Sequence, residues 1–189
     1  MDTFLNFIRY YVPLSEPAEM ALREVAKTEL IKKGARVLDK GAICKRQNFV
    51  ISGTLRTYFY QKDKDITYWI YPENGIFTVW HSYWHQKPSA EFAEATEDCE
   101  LISIHYDQWQ KLFDQFPELE RFGRLYAQEQ LALVDEYYRG YYFLTAQEKY
   151  DLLLSFFPSV VNRANLGHIA SMLGISQETL SRIRAKGGK

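Results

Sequence analysis

The sequence predicts an α+β fold: N-terminal helices, a small antiparallel β-barrel of the double-stranded β-helix or jelly-roll type, one long helix, and a C-terminal helix-turn-helix unit. Two observations carry this. Between Ile31 and Ile104 the chain runs in short stretches rich in Val, Ile, Thr, Tyr and Phe, and after Tyr106 the apolar residues return to helical spacing. Residues 166–185, LGHIASMLGISQETLSRIRA, then hold small and apolar residues at the spacing of two short helices that cross steeply. A chain of 189 residues with 47% hydrophobic content can bury a real core, as one large domain or two small ones.

Taken in order, Ser15 to Leu30 places Met20, Leu22, Val25 and Ala26 at near-helical spacing behind a Ser and a Pro suited to a helix start, which predicts an amphipathic helix. The strand region is punctuated by Gly34, Gly41, Gly53, Pro72, Gly75 and Pro88. FVISG followed directly by TLRTYFY reads as two strands joined at a tight Gly53 turn, with DITYWIY as the next strand. Several short strands with regular turn signals indicate a sandwich or barrel.

DQWQKLFDQF has one apolar face, and Pro117 opens a longer helix to about Tyr138 with Leu119, Phe122, Tyr126, Leu133 and Tyr137 on a seam. About 20 residues at 1.5 Å each give ~30 Å, more than a small barrel needs as a lid. Pairing with a second copy is its natural use; packing wholly on its own barrel is the other reading. Gly140 and YYFLTAQEKY mark a hinge, and Thr145 with Glu148 forms a capping box that starts a helix through Tyr150, Leu153 and Leu154. The expected units are residues 1–115, a sensor barrel; 116–140, a connecting and dimerisation helix; and 141–189, the helix-turn-helix domain.

In that last unit Ala170 and Gly174 supply the small residue at the helix crossing and the residue that accepts positive φ at the turn. Ile169, Leu173, Ile175, Leu180 and Ile183 supply the inner faces. Gln177, Glu178, Ser181, Arg182 and Arg184 remain for the exposed side, and such side chains suit base edges and phosphates. Charge agrees: the formal net charge is -1, yet from Arg163 onward five Lys or Arg face Glu178 alone, leaving +4 there and -5 before it. A small basic module on an acidic body is the footprint of local nucleic-acid contact.

The N-terminal MDTFLNFIRYYVPLSEP has no basic leader with a long apolar run, and no stretch of about 18 apolar residues occurs, which argues against secretion and membrane spanning. Cys44 and Cys99 form neither a CxxC pair nor a ligand cluster, so a reduced cytoplasmic setting is expected and no cofactor is implied.

The order of helices, glycine-punctuated barrel, long helix and helix-turn-helix resembles the Crp/Fnr superfamily of bacterial transcription regulators, whose sensor is a cyclic-nucleotide-binding-type barrel. The resemblance covers nearly the whole chain. It rests on KKGARVLDKGAICKRQNFVISGTLRTYFY with its two early glycine turns and hydrophobic-Ser-Gly strand end, on PENGIF, and most sharply on IASMLGISQETLSRI. It implies a homodimer that binds double-stranded DNA and answers to a small-molecule effector, here unidentified. Carried over by position, the base-reading residues fall on Gln177, Glu178 and Arg182, with Ser176 and Thr179 placed for phosphate at the helix start. From the residues alone, a helix cap at Ser176 and an intrahelical pair of Glu178 with Arg182 are equal readings.

The chain departs from the family pattern twice. The Gly-Glu pair and the Arg-Ser/Thr pair that hold the ribose and cyclic phosphate fall on Thr78 and Val79, then on Ser89 and Ala90. Without the arginine there is no bidentate cation for the phosphate, so cyclic AMP and cyclic GMP are not expected to bind in the usual way. The family's wing hairpin is also not visible: AKGGK follows the recognition helix, giving a helix-turn-helix domain lacking a full wing, with phosphate contact assigned to Arg184, Lys186 and Lys189. Tyr58, Tyr60, Tyr68, Trp69, Tyr71, Phe77, Trp80 and Trp84 make the sensor unusually aromatic, either lining a pocket for an apolar or planar ligand or filling the barrel. The ligand-pocket candidates are therefore Tyr58, Tyr60, Tyr68, Phe77, Thr78, Val79, Ser89 and Ala90.

Two further function classes compete. His81, His85, Glu91 and His105 around a small barrel suggest a cupin-like metal enzyme, although the closely spaced His-x-His pair of such sites is absent and the expectation is no enzyme. A dimeric sensor that has lost DNA binding and acts through a protein partner is the other.

Overall fold

The computed structural model describes residues 1–187; Lys189, assigned above to phosphate, lies outside them. The chain opens with α1 (Asp2–Tyr11), which buries Phe4, Leu5 and Ile8 as one stripe. Next comes α2 (Glu16–Val25), whose first turn is capped by the Ser15 hydroxyl accepting from the Ala18 N–H. This helix stops short of the predicted Leu30. Lys27–Ile31 is instead strand β1, because its pairing with Cys99–Ser103 outweighs a helical spacing carried by few residues. Met20, expected on the apolar face, is 58% exposed.

The strands continue as β2 (Arg36–Leu38), β3 (Arg46–Ser52), β4 (Leu55–Gln61), β5 (Lys64–Tyr71) and β6 (Ile76–Phe77), then α3 (Trp80–His85), β7 (Phe92–Ala95) and β8 (Cys99–His105). They pair antiparallel in two four-stranded sheets, β1-β8-β3-β6 and β2-β7-β4-β5, the jelly-roll arrangement expected. Val50, Leu55, Phe77, Ala93, Ala95, Cys99 and Leu101 fill the space between the sheets. The turn at Gly53 is real, with φ +87°, but the strands it joins are not a hairpin: β3 belongs to one sheet and β4 to the other. Here glycine is required, because a Cβ would lie 2.6 Å from the Asp98 carbonyl oxygen and 2.6 Å from Cys99 Sγ.

Two helices follow, α4 (Tyr106–Gln115) and α5 (Pro117–Tyr138). The predicted seam of α5 is consumed within the same chain. Leu119, Phe122 and Tyr126 join α1, α2, Trp109 and the outer faces of β3, β6 and β8 in one core, and Tyr137 is buried among Trp69, Tyr141 and Phe156. What α5 leaves outside is another stripe, Leu131 at 71% and Val134 at 42% exposure.

A 3-10 turn (Tyr141–Phe143) entered through Gly140 at φ +70° leads to α6 (Ala146–Phe156), which carries the predicted Thr145–Glu148 capping box. Then come α7 (Pro158–Arg163), α8 (Leu166–Leu173) and α9 (Gln177–Gly187). Their core, Leu153, Val160, Val161, Ile169, Ala170, Leu173 and Leu180, also takes in Ile70 from β5. Because β5 is an edge strand, its outward groups need partners, and the Thr67 N–H donates to Ser171 Oγ of α8 at 3.1 Å. Among the described residues no helix is long and apolar enough to cross a membrane.

Candidate nucleic-acid interface

The two C-terminal helices meet as the sequence pattern requires. Gly174 ends α8 at φ +68°, its N–H bonding back to the Ala170 and Ser171 carbonyls, while the Ile175 N–H reaches Ala170 at 3.0 Å. This is a left-handed C-terminal cap that turns the chain within a few residues. Ala170 is buried where α8 and α9 cross, and Leu180 and Ile183 seat α9 against it. Ser176 caps α9, accepting from the Thr179 N–H at 3.2 Å, with its hydroxyl 3.1 Å from that of Thr179. Its side chain is thus engaged in starting the helix, although it remains exposed.

Gln177, Glu178, Ser181, Arg182 and Lys186 stand on the exposed side of α9, and Thr179 is half-buried. The Arg182 guanidinium does not pair with the Glu178 carboxylate; it donates to the Glu178 backbone carbonyl at 3.4 Å and to Thr179 Oγ1 at 3.5 Å. Glu178 is held below the usual carboxylate range by its own N–H at the helix start, then by Ser176 and the Arg182 charge. Arg184 corrects the sequence reading. Its guanidinium donates to the Val161 carbonyl and lies 6.0 Å from the Tyr150 ring, so it fastens α9 to its own unit instead of standing free.

The ligand-pocket candidates do not converge. Tyr58 and the half-exposed Tyr60 pack on Phe92, and Arg56 lies 4.1 Å over the Tyr58 ring. Phe77 belongs to the core between the sheets. The buried Thr78 donates to the Arg46 carbonyl at 3.1 Å, Val79 is buried before α3, Ser89 closes a local turn with Glu91, and Ala90 is exposed. Burial raises the nearby Glu91 carboxyl above its ordinary range. Tyr68 faces elsewhere, into a cleft of about 350 Å³ between the β5–β6 loop, α3, α5 and the end of α6.

Nor do the histidines form one centre. His81 and His85 lie side by side on α3 with ring centroids 4.8 Å apart, while His105 caps α4. Among the described residues no group of three or more His, Cys, Asp or Glu could hold a metal ion.

Two further polar clusters join residues distant in sequence. Arg163 of α7 reaches across to the barrel, 3.0 Å from Glu73 and 3.0 Å from Glu97. Arg56, whose side chain is only 3% exposed, forks onto Asp65 at 2.6 Å through both terminal nitrogens and meets Glu94 at 2.8 Å. An arginine inside an apolar strand run was the only hint of this second cluster. Beside it lies His168 of α8, whose Nδ1 is buried without a partner; burial first, then the Arg56 charge, holds its imidazole below the ordinary range.

No family profile and no curated protein matches the chain. Solved structures do. FixK2 from Bradyrhizobium japonicum superposes with a TM-score of 0.70 at 16% identity, covering 86% of this chain and 84% of that one. A regulator assigned to the Crp/Fnr family from Eubacterium rectale gives 0.68 at 17% identity over 94% and 87%. The c-di-GMP responsive global regulator CLP of Xanthomonas campestris gives 0.68 at 16% identity over 92% of each. The chain has the fold of the Crp/Fnr regulators, with its cyclic-nucleotide-binding-like sheets and its helix-turn-helix.

Proposed function

We propose that the chain is a DNA-binding transcription regulator of the Crp/Fnr type and not an enzyme, in which residues 1–115 sense, 116–140 connect and pair two copies, and 141–189 read DNA. The observation that carries this is the exposed side of α9. Gln177, Glu178, Ser181, Arg182 and Lys186 project from a helix whose opposite side is fixed on α8. Arg182 is suited to fork onto guanine and Gln177 to adenine, while Lys186 and the helix start suit phosphate. The second copy would seat on the Leu131 and Val134 stripe, continued by Tyr142 and Phe143 at 87% and 92% exposure. Two α9 helices would then enter successive major grooves roughly 34 Å apart.

Selection of genomic fragments on the purified protein tests the reading. An enriched two-fold symmetric site supports it, and no enrichment even at low salt turns the assignment toward a sensor that acts through a protein partner. The barrel does not bind cyclic AMP in the usual way on this reading. Micromolar heat of binding for cyclic AMP or cyclic GMP would overturn that part.

A further inference from the structure

The cleft beside α5 belongs neither to the DNA face nor to the family's nucleotide positions. Ten of its nineteen lining residues are aromatic, among them Trp69, Trp80, Tyr126 and Tyr138, and they come from α1, β5, α3, α5 and α6. Its only charged lining residues are Glu73 and Glu129. Each carboxylate has one oxygen engaged: Glu73 Oε1 accepts from the Gly53 N–H at 3.0 Å and from Arg163 at 3.0 Å, and Glu129 Oε2 accepts from the Tyr11 hydroxyl. The second oxygen of each has no hydrogen-bond partner among the described residues.

Aromatic walls with spare carboxylate oxygens attract cations through ring faces and charge together, and they repel phosphates and carboxylates. A volume of about 350 Å³ suits a fused-ring molecule better than a metal ion. We propose that this cleft is the effector site, that it takes a planar aromatic cation, and that occupancy draws Glu73 away from Arg163. The regulatory half rests on the DNA-binding reading above; the binding half does not. Phe156 at the end of α6 and Phe157 just after it form one wall, and Arg163 follows a few residues later, so a ligand here touches both the barrel and the unit that carries α9.

The test uses the full chain without DNA, so that its outcome is separate from that of the DNA selection. Tryptophan fluorescence and calorimetry would compare 9-aminoacridine, a cation at neutral pH, with 9-hydroxymethylanthracene and anthracene-9-carboxylate, a neutral and an anionic probe of the same ring size. The cation should bind at least tenfold tighter than the neutral probe, and the anion should not bind. Trp80→Ala and Glu129→Gln should each weaken the cation about tenfold, with Trp80→Phe restoring most of the loss; Trp80 is 37% exposed, so a folded variant is expected. Saturating cation should also speed hydrogen exchange at the Thr67 amide, which is protected by Ser171 across the junction, and Glu73→Gln should exchange fast with no further response. Equal binding of the three probes, or cation binding indifferent to both Trp80→Ala and Glu129→Gln, overturns the site. Tight cation binding that leaves Thr67 exchange unchanged overturns the coupling.

Discussion

Arg182 and Arg184 lie two residues apart on one helix, and the structure gives them different work. Arg184→Ala removes a charged donor from the Val161 carbonyl and uncovers one side of Tyr150. A hydrogen bond to a charged group is worth roughly 1.5 to 3 kcal/mol net, and the half-buried position places this one near the lower end. With a urea m-value of about 2 kcal/mol per molar for a small protein, the denaturation midpoint should fall by close to 1 M. Arg182→Ala removes only long contacts on an exposed face, so stability should stay within about 0.5 kcal/mol of the parent. DNA binding should sort the pair the other way. Arg182→Ala should cost about 1 to 3 kcal/mol on the selected site while nonspecific affinity holds, and Arg184→Ala should leave the salt slope of binding unchanged. A slope smaller by about 0.9 in Arg184→Ala, with no change in midpoint, would refute the inward assignment and return Arg184 to the phosphate contacts.

Other substitutions probe the frame. Gly53→Ala combines a left-handed backbone with a Cβ 2.6 Å from a carbonyl oxygen and should cost about 2 to 5 kcal/mol, whereas Gly174→Ala, at φ +68° with open space around it, should cost about 1 to 2; denaturation curves compare them directly. Arg163→Ala breaks two pairs about one-third exposed, so it should lower stability by no more than about 1 kcal/mol while speeding exchange at the Thr67 amide. His168 is held below the ordinary imidazole range in the folded chain. As pH falls through about 6.5 the unfolded chain takes up a proton that the folded chain refuses, so stability should decline until the folded group titrates as well; His168→Gln should remove that part of the slope in pH-dependent melting.

The helix-turn-helix was legible because its constraints are local: Ala170 must be small, Gly174 must accept positive φ, and apolar residues must face inward within twenty positions. The capping box at Thr145 and the strand-ending glycine at Gly53 were legible for the same reason. Partners distant in sequence were not. Gly53 looked like a hairpin turn because nothing near it says that the next strand joins the opposite sheet. The α5 seam was read correctly as apolar, but a seam does not name its partner, and here α1 and the outer sheet face occupy it. The candidate pocket residues illustrate the same point, since Tyr58, Tyr68 and Phe77 sit on nearby strands yet face three different surroundings.

These long-range contacts bear on how, on the regulator reading proposed above, a signal would reach DNA. A free rotation of the C-terminal unit about Gly140 is not available from the docked state, because several contacts must give way together, the edge-on packing of Trp69 and Phe157 among them. Ile70 would lose its place in the α8–α9 core, at up to about 1.5 to 3 kcal/mol for a fully exposed isoleucine. The Thr67 bond to Ser171 and the Arg163 pairs with Glu73 and Glu97 add smaller amounts. The sum is a few kcal/mol, comparable to the 1 to 3 kcal/mol typical of coupling between sites. A ligand in the proposed cleft therefore need not drive the whole movement by contact with the C-terminal unit. Weakening one member of the set, Arg163 on Glu73, is enough to bias the equilibrium, provided that the ligand binds the released arrangement more tightly than the docked one.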